Sequence, residues 1–181
     1  MHSLRLFICG LAVALAHGLA LGETAPQPTL SARTASGQTV SLQALRGQVV
    51  MVVVWSTDCP VCLSKMPELR ANHAGWQKQG FQIIAINTDA KPEALRSWES
   101  ARQVTVPVAQ QWPSVWAHAP GFATSLALTA GVTSPVAVTP TAASASAHLP
   151  LIYVVDRAGN LRFQSSGRMP AEVWDTIAEL L

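Results

Sequence analysis

Two cysteines separated by two residues, Cys59-Pro60-Val61-Cys62, are the side chains of this sequence best spaced for chemistry. A thiolate is the reactive form of cysteine, and a helix N-terminus stabilises it through unpaired N–H groups and the helix dipole. Cys59 is expected at such a place. An apolar run ends just before it, Ser56-Thr57-Asp58 offers capping side chains, and Pro60 suits a first helical turn. Cys59 should then be the nucleophile. Cys62, one turn on and more buried, should resolve the mixed disulfide that Cys59 forms. A zinc site normally needs four ligands, and only His73, His118 and His148 could join the two thiols. An inert disulfide closing so short a loop would leave the helix-terminal placement unused. Thiol–disulfide exchange is the chemistry that the strand–Cys-x-x-Cys–helix setting favours.

The elements that must hold this pair can be read around it. Residues 48–55 are an unbroken β-branched run, the pattern of a central strand covered on both faces. Cys62, Met66, Leu69, His73 and Trp76 recur at helical spacing until Gly80, with Pro67 expected to kink the helix. Residues 81–87 read as a second buried strand, and 92–102 as a helix with Leu95 and Trp98 inward. Strand–helix–strand implies a parallel pair with a right-handed crossover. Upstream, residues 30–41 alternate about Ser36-Gly37 as a short hairpin, and 42–47 read as a turn. Downstream, strands at 151–156 and 161–165 flank the turn Arg157-Ala158-Gly159-Asn160. Pro170 then opens a last helix carrying Val173, Ile177 and Leu180 on one face.

Composition sets the bounds. The 181 residues fit one domain, 29–181, and 49% apolar content excludes wholesale disorder. A net charge of +2, with its cations scattered, gives no basic stripe for nucleic acid. Residues 1–22 carry a single charge, Arg5, and residues 103–155 carry none. The first stretch reads as a secretory signal cut after Gly22, followed by a polar leader at 23–28. The rival reading is an uncleaved membrane anchor through residues 4–21. Cys9 would leave with the signal. Either reading places the chain outside the cytoplasm, in the periplasm or an equivalent oxidising space.

Trp55-Ser56-Thr57-Asp58-Cys59-Pro60-Val61-Cys62, followed by Lys65-Met66-Pro67-Glu68-Leu69, resembles the active-site signature of the TlpA-like branch of the thioredoxin family. That branch comprises exported thiol–disulfide oxidoreductases, several of them reductases in cytochrome c maturation. The resemblance implies an α/β thioredoxin fold, a central mixed sheet flanked by helices. It implies that Leu149-Pro150 is the cis-proline loop, with Pro150 facing the two cysteines, and that residues 156–161 form the closing hairpin. Pro60, Trp55, packed beneath the site, and Asp58 would support the cysteines. Implied too are protein disulfide substrates, a membrane-embedded thiol donor if the direction is reductive, and a monomer without cofactor or metal.

Departures from the pattern stand beside the match. Val53 occupies the position of thioredoxin's buried acid, so proton transfer at Cys62 needs another group or water. Asp58 stands where an aromatic is common; it could oppose the thiolate or cap the helix, and capping is preferred. Asp89 is the acid nearest to one that some relatives carry after the second strand. Its register is off by one, and it is left unassigned. A copper-binding module on the same fold, or a thiol oxidase or isomerase, are the alternatives. A peroxiredoxin is excluded, because Trp55 and Cys59 stand where its loop requires a proline and a hydroxyl.

In the charge-free stretch, residues 104–109 are expected to be the third strand, and 121–132 a short helix and turn. Trp112 and Trp116 are assigned to core packing first and a partner groove second, and His148 to a solvated loop. Residues 133–147, uncharged and rich in small side chains, form an insertion ahead of Pro150 that is expected to influence partner choice. Deleting residues 134–146 should change which protein partner is reduced while preserving exchange with a small disulfide. Comparing the two rates checks this, and joint loss would assign the segment to folding instead.

Overall fold

The computed structural model describes residues 27–34, 37–107, 111–120, 123–125 and 149–181. The expected signal and leader up to residue 26, the expected 133–147 insertion and His148 lie outside the described residues. Strand β3 (Val49–Trp55) is the axis of a five-stranded sheet, and all seven of its residues are buried. Both edges of β3 are used. β4 (Phe81–Asn87) runs parallel to it, residue for residue from Val49↔Phe81 to Trp55↔Asn87. β7 (Leu151–Val155) runs antiparallel on the other side, with Leu151 opposite Val54. β5 (Ser114–Trp116) extends the parallel side and β8 (Leu161–Ser166) the antiparallel side, giving the order β5-β4-β3-β7-β8. A continuously apolar strand is stable only with such cover on every side.

Helix α1 (Pro60–Trp76) joins β3 to β4 and continues through Pro67. It buries Cys62, Met66, Leu69 and His73, the helical stripe expected from the sequence. Helix α3 (Glu172–Leu180) packs beside it: Trp174 Nε1 donates to Glu68, and the Trp76 and Trp174 rings lie 6.0 Å apart. Helix α2 (Pro92–Thr105) connects β4 to β5 and sets Trp98 against Trp55, ring centroids 4.5 Å apart. Behind that contact the Arg102 guanidinium lies 4.9 Å from the Trp98 ring and 5.3 Å from that of Trp112. Burial pushes the Arg102 pKa down, and the Glu99 carboxylate beside it partly restores it. The fold is the α/β thioredoxin architecture that the resemblance implied.

A second, smaller sheet is built on the N-terminal side of the chain. The expected hairpin supplies β1 (Thr29–Arg33) and β2 (Thr39–Ser41), and β6 (Ala123–Ser125) pairs with the other edge of β1. An isolated bridge, Thr34↔Val115, ties β1 to the edge strand β5 of the large sheet. At the opposite end of the molecule, the Arg157 guanidinium donates to the carbonyls of Gly47, Gln79, Leu180 and Leu181. It thereby gathers the start of β3, the turn before β4 and the end of α3. The neighbouring Gly159 is irreplaceable by an L-residue without rearrangement: φ is +85°, and a Cβ would stand 1.7 Å from the Arg46 guanidinium.

Two expectations for the charge-free stretch are corrected. Within 104–109, the described residues 104–107 do not supply the third strand. α2 continues to Thr105, leaving Val104 88% exposed, and the Thr105 hydroxyl donates back to the Ala101 carbonyl. Helix continuation overrides the β-branched Val104-Thr105-Val106 pattern, and the strand is Ser114–Trp116 instead. Within 121–132, the described residues 123–125 are the strand β6 rather than helix, because the free edge of β1 offers them a partner.

His73 is buried edge-on to Phe81 and Trp112. Burial pushes its imidazole below the ordinary value, with the Gln82 amide pulling the other way. The unfolded chain therefore takes up this proton first, and the stabilising effect is whole above about pH 6.5 and lost as pH falls below it. Urea unfolding should show a midpoint that drops between about pH 7.5 and 5.5. The drop should be smaller in the His73→Leu variant, and an equal drop would remove His73 as its source.

Candidate active site

Where β3 ends, the chain leaves the sheet at Trp55 and reaches α1 through Ser56, Thr57 and Asp58. This loop has lost its strand partners, so its backbone groups must be satisfied elsewhere. The loop after β4 provides them. The Trp55 carbonyl accepts from the Thr88 N–H at 2.9 Å and from the Thr88 hydroxyl at 3.2 Å. The Asp89 carboxylate accepts from the Thr57 N–H at 2.9 Å with one oxygen and from the Asn87 amide at 3.0 Å with the other. The Asp89 N–H donates in turn to the Asn87 side-chain oxygen. Asn87, Thr88 and Asp89 are all buried, so this is an internal polar brace beneath the loop. It reaches further: the Trp116 indole donates to the Asp89 carbonyl at 2.7 Å, and the Ala117 N–H to the Asn87 carbonyl.

At the head of α1, Cys59 and Cys62 form a disulfide, S–S 2.06 Å. Cys59 is the N-cap residue, and its Sγ accepts from the Cys62 N–H at 3.0 Å. Pro60 opens the helix, as expected. The expected cap at Asp58 is corrected by this geometry. Asp58 is exposed and one residue too early, and the sulfur takes the role of the capping oxygen. Cys59 is 9% exposed and Cys62 2%, so an incoming group meets Cys59 first. Trp55 is fully buried against Trp98, beneath the loop. Val53 is buried within β3.

The Leu149–Pro150 bond is cis. Because Leu151 pairs with Val54, Pro150 stands one register step further, opposite Trp55, and so at the same end of the sheet as the disulfide. Its carbonyl accepts from the Gly167 N–H at 3.0 Å. The fold thus brings Cys59, Cys62, Pro60, Trp55 and Pro150 to one end of the molecule, with Asp58 on its surface. His73 and His118 lie apart from this group, with ring contacts to Phe81 and Trp112 and to Trp116, respectively. Among the described residues, no three His, Cys, Asp or Glu side chains converge as metal ligands would.

Sequence reasoning left the brace out. Register against relatives leaves Asp89 one place off, whereas its position follows from what the Thr57 N–H lacks. A signal existed: a polar Asn-Thr-Asp run closes an otherwise apolar strand, at the end of a parallel sheet where functional groups gather. On the outer side of α1, burial alone would raise the Glu68 carboxyl. Hydrogen bonds from Lys65 and Trp174, with the Lys65 charge, hold it below the ordinary carboxylate range.

Comparison with known proteins follows the same lines. The model of a family described as AhpC/TSA matches residues 21–164. Over 57 residues the chain is 35% identical to a protein of Halalkalibacterium halodurans named thiol-disulfide oxidoreductase ResA, covering 32% of each chain. Its counterpart of the same name in Bacillus subtilis is 24% identical over 110 residues, 58% of this chain and 62% of that one. The alignments span less than two thirds of those relatives. Among solved structures, a thiol:disulfide interchange protein of the thioredoxin family from Chlorobium tepidum superposes with a TM-score of 0.60 at 19% identity. That match covers 86% of this chain and 94% of the other. The resemblance read from the sequence is borne out at the level of family and fold.

Removing the brace tests its worth. Asp89→Ala leaves the Thr57 N–H and the Asn87 amide without their acceptor and should cost about 2–3 kcal/mol. Asp89→Asn, which keeps one acceptor oxygen, should lose less. Urea unfolding of the disulfide-bonded protein measures both, and equal stability of Asp89→Ala and wild type would refute the assignment.

Proposed function

Because the chain belongs to the AhpC/TSA family, we propose that it is an exported thiol–disulfide oxidoreductase acting on protein disulfides. The observation that carries this reading is the Cys59–Cys62 disulfide at the N-terminus of α1, with its more accessible sulfur at the N-cap. In the dithiol form, the Cys59 thiolate attacks a substrate disulfide, joins one sulfur and releases the other as a thiolate. The Cys62 thiol then loses its proton and attacks Cys59 Sγ, releasing the second substrate thiol. Two electrons have moved to the substrate and the Cys59–Cys62 bond has formed. Val53 supplies no proton acceptor for Cys62, so another group or water must take that proton.

We assign the reductive direction, with a membrane-embedded dithiol as the electron source that restores the pair. The support is the signature around the cysteines, similar to that of exported reductases, and relatives named thiol-disulfide oxidoreductase. Export rests on residues 1–22, by cleavage or as an anchor. Among the described residues no helix is long and apolar enough to cross a membrane.

Equilibration with glutathione decides the direction. A reduction potential near about −120 mV, that of a strong oxidant, would sink the reductase assignment. The roles of the two sulfurs separate in single variants. Cys62→Ser should accumulate a mixed disulfide with oxidised glutathione, seen as an added glutathione by mass spectrometry. Cys59→Ser should form none, and the reverse pattern would exchange the two roles.

A further inference from the structure

At the β5 edge of the large sheet lies a cleft of about 460 Å³. Leu95 of α2 and Trp116 of β5 form its apolar walls, and Arg33, Arg96, Glu99 and Ser114 contribute the polar groups. Ser114 is buried, and its hydroxyl makes no hydrogen bond of ordinary geometry, although the Glu99 carboxyl lies near it. A buried hydroxyl without an ordinary hydrogen bond can donate to a polar ligand atom that enters the cleft.

The charges around the cleft are unevenly matched. Glu99 already has a cation, since buried Arg102 acts on it from behind the wall. Arg96 is held by Glu93 alone, in a pair 58% and 66% exposed, which costs little to exchange for another carboxylate. The Arg33 guanidinium is exposed and makes no hydrogen bond or ion pair within the described residues. Two guanidiniums are thus available to an incoming anion.

Distance ties the cleft to the sulfurs. Trp55, Asn87 and Trp116 stand in register across β3, β4 and β5. Two strand spacings put the Trp116 backbone about 10 Å from that of Trp55, the reach of roughly three extended residues. Cys59 follows Trp55 by four residues on the same side of the sheet end, so a polypeptide whose disulfide meets Cys59 can lay a segment a few residues away into the cleft.

We propose that the cleft receives an acidic segment of the disulfide-bearing substrate polypeptide, its carboxylate meeting Arg33 and Arg96 and its aliphatic stem lying on Leu95 and Trp116. The proposal rests on the thiol–disulfide reading and adds the substrate's charge to it. The Ser114 hydroxyl donates to the segment's carbonyl or carboxylate at the floor. Selection arises from charge at the cleft mouth, so it acts on capture and weakens with salt.

The experiment uses the reduced full-length chain and peptides whose single cysteine is held as a mixed disulfide with 2-thiopyridine. Cys59 attacks the peptide sulfur and expels pyridine-2-thione, whose absorbance reports the rate. Cys62 then frees the peptide thiol. Peptides carrying Glu or Lys four residues to either side of the cysteine are compared. The Glu peptide should react about fivefold faster at low ionic strength, the scale of a surface ion pair gained against one repelled. The ratio should approach one in high salt and invert in the Arg33→Glu/Arg96→Glu variant. Taken within each protein, it does not depend on the fraction of variant that folds. A wild-type ratio near one, or a ratio unchanged in the double variant, overturns the docking proposal alone. Release of pyridine-2-thione no faster than from Cys59→Ser, with every peptide, overturns the redox reading itself and this proposal with it.

Discussion

The structure hangs on the burial of β3 on both edges and both faces. Seven consecutive apolar residues can be stable only where other elements enclose them, and each enclosing element is placed by that requirement. β4 and β7 take its two edges, and α1 and α2 bring Leu69, Met66 and Trp98 into the surrounding core. The strand ends abruptly at Trp55, so the next residues emerge at one defined point with a fixed direction. The disulfide is built at that point. Its position is a property of the strand's register, and its local geometry is a property of the polar brace that follows.

That brace shows how a polar network can be economical within an apolar core. Asn87, Thr88 and Asp89 lie at the end of β4, where strand pairing stops and the loop after β3 exposes an N–H and a carbonyl with no partner. The carboxylate of Asp89 satisfies one and the backbone and hydroxyl of Thr88 the other. A charged acceptor buried with two donors is well compensated, whereas either half alone would be costly. Arg102 is a different case. Its Nε and Nη1 make no hydrogen bond among the described residues, and its surroundings are the faces of Trp98 and Trp112. Aromatic faces and the nearby Glu99 carboxyl hold that charge in place of a full hydrogen-bond shell.

How much of this was legible beforehand follows from which interactions are local. The run at 48–55, the helical stripe from Cys62 to His73 and the turn at Gly159 are patterns within a dozen residues, and each appears where periodicity placed it. The cysteines were legible because two residues of one reactive type at one spacing, before a helix, admit few chemistries. The strand near residue 115 and β6 were not legible. Val104-Thr105-Val106 is more strand-like than Ser114-Val115-Trp116, but only the latter reaches the open edge of β4. Likewise nothing local marks Ala123–Ser125 as a strand; the free edge of β1, some ninety residues earlier, does. The cap lies at Cys59 rather than Asp58 because a sulfur can fill the acceptor place that capping usually gives to oxygen.

Asp89 faces two ways. Its carboxylate holds the Thr57 N–H of the redox loop, and its carbonyl holds the indole of Trp116, a wall of the cleft. The two regions are therefore joined through a single residue of well-anchored backbone, and thermodynamic linkage governs what passes between them. Any factor by which an occupied cleft shifts the dithiol–disulfide equilibrium is necessarily the factor by which oxidation shifts occupancy.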